Sequence, residues 1–102
     1  MNRKKLKKLG QRLAELRRAS PKAIALQRLA KQLGRRKVRR GKEPTWENDH
    51  FLELRPLSIP DHGGKELPSG TKHSILNQLE DDLTSWDERL AAQEASGVRV
   101  PQ

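Results

Sequence analysis

Hydrophobic residues recur along this chain with helical spacing at both ends and strand-like spacing in the middle. Leu6, Leu9, Leu13 and Leu16 follow at steps of three, four and three, one narrow stripe of a helix over residues 3–18. The other sides are polar, mostly Lys and Arg, and Gly10 weakens the helix from within. Ser20-Pro21 predicts a fresh start, with Ser as N-cap and Pro at the first helical position. The second helix carries Ile24, Leu26, Leu29, Ala30 and Leu33 and ends at Gly34. The last helix is the clearest. From Thr71 to about Ala95, Leu76, Leu79, Leu83, Trp86 and Leu90 alternate at steps of three and four. Glu80, Asp81, Asp82, Asp87 and Glu88 fill its other face, and Gly97 stops it.

The middle is less regular. Arg35 to Lys42, RRKVRRGK, reads equally as a basic strand or a disordered arm. Gly41 and Pro44 bracket a turn, Thr45-Trp46 a short second strand, and Asn48-Asp49-His50 a loop. Leu57-Ser58-Ile59 alternate as a half-buried strand does, and the prolines at 56 and 60 place it at a sheet edge. The expected fold is therefore α+β: helix, helix, a two- to three-stranded antiparallel sheet, and an elongated C-terminal helix. We divide it into a basic N-terminal helical extension over 1–19, a domain over 20–95 and a tail over 96–102. Trp46, Trp86 and Phe51 are the only aromatic residues, so the core is thin; Trp46 could stack on a base of single-stranded RNA, but with little else to fill the core it is expected to pack under the sheet. Stability should be modest, about 5 kcal/mol or less.

Charge sharpens the picture. Residues 1–42 carry 17 Lys and Arg against Glu15 alone, whereas residues 43–102 carry 5 against 12 acids, which leaves +9 overall. Such polarity implies one face for a polyanion and another for water or a basic partner. A membrane surface fits less well, because the basic segments lack Trp and Phe. There is no cysteine, hence no disulfide framework and no thiolate zinc site. Met1 is followed at once by charge, without an apolar signal core or a membrane-length span, so a cytoplasmic location is expected.

The candidate chemistry lies between Leu57 and Leu79. A strand meets a loop holding Gly63, Gly64, Pro68 and Gly70, and a helix opens behind Lys65, Lys72 and His73. Backbone N–H groups and the positive dipole end at such a place attract anions. A nucleotide-binding P-loop is excluded, since five residues separate Gly64 from Gly70 and Thr71 precedes Lys72.

The run Ile59-Pro60-Asp61-His62-Gly63-Gly64-Lys65-Glu66-Leu67, then Pro68, Gly70-Thr71 and Ser74-Ile75-Leu76-Asn77-Gln78, resembles the C-terminal half of HicA-type (YcfA-like) toxins. Upstream, the helix from Ser20 to Leu33 and the basic Arg35–Lys42 are similar to that family's first helix and strand. The resemblance implies a fold related to the double-stranded RNA-binding domain. It further implies ribosome-independent mRNA cleavage without a cofactor, held in check by a HicB-like antitoxin. Where family members carry Gly-Ser-His or Gly-Asn-His, this chain reads Gly41-Lys42-Glu43-Pro44, so Glu43 stands at the position of the His held to be catalytic.

Metal-free RNA cleavage needs a base for the 2′-OH and an acid for the leaving oxygen, and histidine suits both. His62 matches the family's loop His and is the candidate acid or base, with Glu43 at the lost His position. A turn residue is an equal reading of His62. Glu43, beside Arg39, Arg40 and Lys42, should remain an ionised carboxylate. The expected RNA contacts are Arg35, Arg36, Lys37, Arg39, Arg40, Lys42, Lys65, Lys72 and His73. His50 is read as a plain loop residue, and the three His lie too far apart in sequence for a metal site. The last helix should be core as far as Leu79. Beyond it, Leu83 to Leu90 either pair with the N-terminal helix, whose Lys and Arg complement the acids, or dock an antitoxin or a second copy as a homodimer.

The chain thus reads as an RNA-binding, HicA-like toxin-type protein, with mRNA endoribonuclease activity implied by the resemblance. The alternative is a non-catalytic nucleic-acid-binding or ribosome-associated protein with a basic arm. A third reading is a protein-interaction module built on its two long helices.

Overall fold

A computed structural model describes residues 1–40, 43–60 and 66–98, without side chains at 39, 40, 43 and 96–98. Its elements run α1 (Arg3–Arg18), α2 (Ala23–Gln32), β1 (Arg35–Arg40), β2 (Glu43–Asn48), β3 (Leu57–Ser58) and α3 (Ser69–Val98). The fold is α+β, with one antiparallel sheet in the order β1-β2-β3 and a 30-residue final helix. Among the described residues, no helix is long and apolar enough to cross a membrane.

One sheet face builds the core. Arg35 pairs with Asn48, and Trp46 with both Lys37 and Leu57, so Arg35, Trp46, Asn48 and Leu57 share a face. All four are buried, together with Leu26, Leu29 and Leu33 near or in α2 and Leu76 and Leu79 of α3. Both helices therefore cover the same side. Trp46 packs under the sheet as its sequence context predicts, and β3 lies at an edge.

Helix α1 is built into this core rather than appended to it. Leu6, Leu9, Leu13 and Leu16 are all buried in the same cluster as the sheet and α3. Asn2 caps the helix, its Oδ1 accepting from the Lys5 N–H at 2.8 Å. Of the arrangements the sequence left open, α1 pairs with the distal half of α3: Trp86 and Leu90 are buried, and Leu83 packs partly buried against the core. Arg3 binds Asp87 and Glu94, and Arg17 binds Glu80 at 3.1 Å.

These seam pairs are exposed and contribute chiefly at low salt. The Arg3 hydrogen bonds hold the Glu94 carboxyl below its ordinary range. A carboxyl depressed by folding stabilises above its unfolded pKa and loses that effect as pH falls through its folded one. The seam should therefore weaken only in acid, below about pH 4. We expect Glu94→Gln to flatten the acid limb of a Tm–pH curve and to leave the neutral region nearly unchanged.

Several boundaries differ from the sequence pattern, each for a tertiary reason. Helix α2 starts at Ala23, and its N-cap Lys22 makes no side-chain cap bond. Ser20-Pro21 forms a corner instead: Pro21 is buried, its carbonyl accepts from the Leu67 N–H at 3.4 Å, and Lys22 bridges to Glu66. Asn48 ends β2 in the core rather than opening a loop, because its amide is needed there. Ile24, assigned to the apolar stripe, is 45% exposed. Helix α3 opens at Ser69 and runs through Gly97 to Val98.

Gly34 follows α2 with φ +101°. A Cβ there would lie 2.6 Å from His50 Cδ2. Both the left-handed backbone and the close approach favour glycine. Gly34→Ala is expected to cost about 1–2 kcal/mol, read as a lower urea midpoint with an unchanged m-value.

Candidate nucleic-acid interface

The register separates the two ends of the domain. β1 enters the sheet at Arg35, opposite Asn48, and leaves it at Arg40, opposite Glu43. β3 pairs Ser58 with Thr45 and Leu57 with Trp46, so it runs back toward the β1–β2 turn. The chain reaching Glu66 is bridged to Lys22 at the start of α2, and Leu67 is bonded to Pro21. Helix α3 then opens, with the Lys72 N–H on the Pro68 carbonyl at 2.9 Å. Lys72 Nζ reaches across to the Arg17 and Ala19 carbonyls, at 3.0 and 2.9 Å. The C-terminus of α1 and the N-termini of α2 and α3 thus meet on one side.

That meeting place is rich in cations and poor in acids. Arg18, Lys22 and His73 are all exposed there. The first N–H groups of α2 and α3 have no intrahelical acceptors, and their dipoles add positive potential. Neither helix has an acid in its first turn to offset it. Glu66, exposed before α3, is the nearest acid along the chain. Together these groups can hold phosphate oxygens through mobile side chains and fixed N–H donors.

The residues expected to contact RNA divide sharply. Arg35 is not a surface cation. Its side chain is 1% exposed, with Nε 2.7 Å from Asp82 Oδ2 and Nη2 2.8 Å from Oδ1. Its Nη1 donates to the Trp46 and Arg55 carbonyls at 2.9 and 3.0 Å. Four of its five N–H donors are thus used inside the protein, the side chain is buried, and Arg35 sits at the end of β1 away from the helix openings. Lys72 is likewise engaged within the protein, where two of its three ammonium protons neutralise the α1 C-terminus.

Arg36 is exposed and pairs with Asp49, Nε to Oδ2 at 3.0 Å. This contact raises the Arg36 pKa and lowers that of Asp49, the hydrogen bond being the main cause of each. Lys37 is exposed on β1, and His73 on α3. The backbone of Arg39 and Arg40 forms the last two positions of β1, and Glu43 opens β2. His62, Lys42 and Lys65 lie outside the described residues. Sequence reasoning missed Arg18 and Lys22, although their place on either side of the Ser20-Pro21 corner was a usable signal. Among the described residues, no group of His, Cys, Asp or Glu is arranged to hold a metal ion.

Asp82 anchors the opposite end. Besides Arg35 it accepts from Asn48 Nδ2 at 3.2 Å, and Asn48 also donates to the Leu33 carbonyl at 3.1 Å. Trp86 Nε1 donates to that same carbonyl at 2.6 Å. This network is buried and fully internal, and it ties α2, β1, β2 and α3 together. Compared with models of known protein families, with curated proteins and with solved structures, the chain matches none.

Proposed function

We propose that this protein binds RNA, as a HicA-like toxin-type molecule whose nucleic-acid surface lies where α1 ends and α2 and α3 begin. The convergence of those three helix ends around Arg18, Lys22 and His73 carries the proposal. The order helix, three strands, helix, with both helices on one sheet face, supports it as well. That is the layout which the sequence resemblance implies.

In the same reading His62 serves as acid or base in mRNA cleavage, and a HicB-like antitoxin silences the protein. In that reaction the 2′-oxygen attacks phosphorus, its proton passes to a base, and the 5′-oxygen leaves with a proton from an acid. Glu43, an acceptor only when ionised, can bind a proton but cannot donate one near neutrality.

The test mixes purified protein with a structured mRNA in chelator at neutral pH. Binding should weaken with salt, with a log–log slope of about −0.7 per phosphate contacted on single strands. Lys22→Gln combined with His73→Gln should lower affinity and flatten that slope. A salt-independent complex, or a preference for duplex DNA, would overturn the reading. Cleavage abolished by His62→Ala identifies a ribonuclease. Retention of intact RNA identifies a binding protein of the same surface.

A further inference from the structure

We infer that the outward face of α1 is a second RNA-backbone contact, adjoining the surface proposed above at Arg18 and resting on that reading. Helix α1 carries eight Lys and Arg but a single acid, Glu15. Three of the cations are engaged within the protein: Arg3 with Asp87 and Glu94, Arg17 with Glu80, and Arg12 with Glu15. The other five, Lys4, Lys5, Lys7, Lys8 and Arg18, are exposed and have no partner among the described residues.

Their placement is directional. At 100° per residue, Lys4, Lys7, Lys8 and Arg18 all fall within about 60° of the direction opposite the leucine stripe. The engaged Arg3 and Arg17 instead flank the α3 side. From Lys4 to Arg18 the helix rises about 21 Å, long enough to follow several phosphates of one strand. Gln11, Ala14 and Glu15 separate Lys8 from Arg18 on this face, and Arg18 stands beside the carbonyls that Lys72 holds, where α1 meets the helix openings.

Folding alone gives no reason for this arrangement. A helix N-terminus favours acids, yet the first turn of α1 has none and begins Arg3-Lys4-Lys5. Lys4 and Lys8 also stand at i, i+4, where like charges repel. Such departures from local preference, with no compensating contact, mark surfaces kept for a partner. The partner is polyanionic by charge complementarity.

The face also discriminates among polyanions. Every leucine of α1 is buried in the core, which leaves no apolar residue large enough to enter a bilayer. It presents no aromatic anchor of the kind that concentrates protein–protein affinity. Flexible lysines spaced along a helix suit a phosphate chain, where position matters more than directional bonding.

The experiment compares three full-length proteins on one structured RNA, across a salt series: wild type, Lys4→Gln/Lys7→Gln/Lys8→Gln, and Lys22→Gln/His73→Gln. The substituted lysines are exposed, and Gln keeps helix propensity, so the thermal melts should coincide. We expect the α1 variant to lose about tenfold or more in affinity near 0.1 M salt. Its log–log slope should shrink by roughly 0.7 for each contact removed. An α1 variant that binds like wild type while the Lys22/His73 variant is impaired overturns this inference and leaves the proposed function standing. No RNA binding by wild type overturns both. Loss of self-association or of anionic-vesicle binding in the α1 variant, with RNA affinity unchanged, assigns the face to another partner and overturns the inference.

Discussion

Asp82→Ala is expected to destabilise the protein by about 3–5 kcal/mol. That matches or exceeds the whole stability of a thin 102-residue fold, so the variant should be largely unfolded at 37 °C. Asp82 is wholly buried and receives two bonds from Arg35 and one from Asn48. Without it, the Arg35 guanidinium keeps only two carbonyl acceptors and remains charged in the core. The cost comes from the abandoned charge, not from the net strength of the pair. Arg35→Met with Asp82→Leu should therefore recover much of the loss, since apolar replacement of a whole buried pair is often neutral or better. Chemical denaturation of the single and double variants checks this, and a single-variant cost below about 1 kcal/mol would refute a buried, unrelieved guanidinium. The folded double variant also tests the exclusion of Arg35 from the nucleic-acid surface. Its RNA affinity and salt slope should equal those of wild type.

Periodicity made the helices legible because each buries a stripe whose spacing the sequence displays directly. Leu6, Leu9, Leu13 and Leu16, and later Leu76, Leu79, Trp86 and Leu90, are buried as their spacing requires. The pairing of α1 with α3 was legible only as one of two open readings: a leucine stripe amid cations needs cover and α3 offers both leucines and acids, but the same half of α3 could equally dock another chain. Arg35 could not be sorted from its neighbours by sequence. In RRKVRR every arginine looks alike, and only the fold brings Asp82, 47 residues away, against the first of them. Asp82 was equally hidden, one of several acids assigned to an exposed helix face. Asn48 reads as a turn residue until the Leu33 carbonyl is placed beside it. The site was half legible. The glycine-flanked opening of α3 is present in the pattern, but the meeting of that opening with Lys22 and Arg18 depends on Pro21 and Lys72, whose bonds span 46 and 53–55 residues. Long-range backbone bonding of that kind leaves no periodic trace.

Trp86→Ala is expected to cost about 3–5 kcal/mol as well, for a different physical reason. Its indole is the joint at which α3 meets the segment between β2 and β3. Phe51 packs edge-on at 4.8 Å and His50 lies 4.9 Å away, ring centre to ring centre. Arg89, one turn along α3, sits 4.1 Å over the Phe51 ring and donates to the His50 carbonyl at 2.7 Å. Removing the indole opens a cavity and leaves Phe51 without its partner. Trp86→Phe separates the contributions. It keeps most of the ring and gives up only the bond to the Leu33 carbonyl, which Asn48 still satisfies. Its cost should be nearer 1 kcal/mol, a Tm change of roughly 4–8 °C. Because Trp86 lies 17 residues along α3 from its opening at Ser69, folded Trp86→Phe should hold RNA as wild type does. Equal costs for Ala and Phe would mean that the bond to Leu33, not the packing, secures this joint. Near-zero costs for both would mean that the segment around Phe51 is held elsewhere.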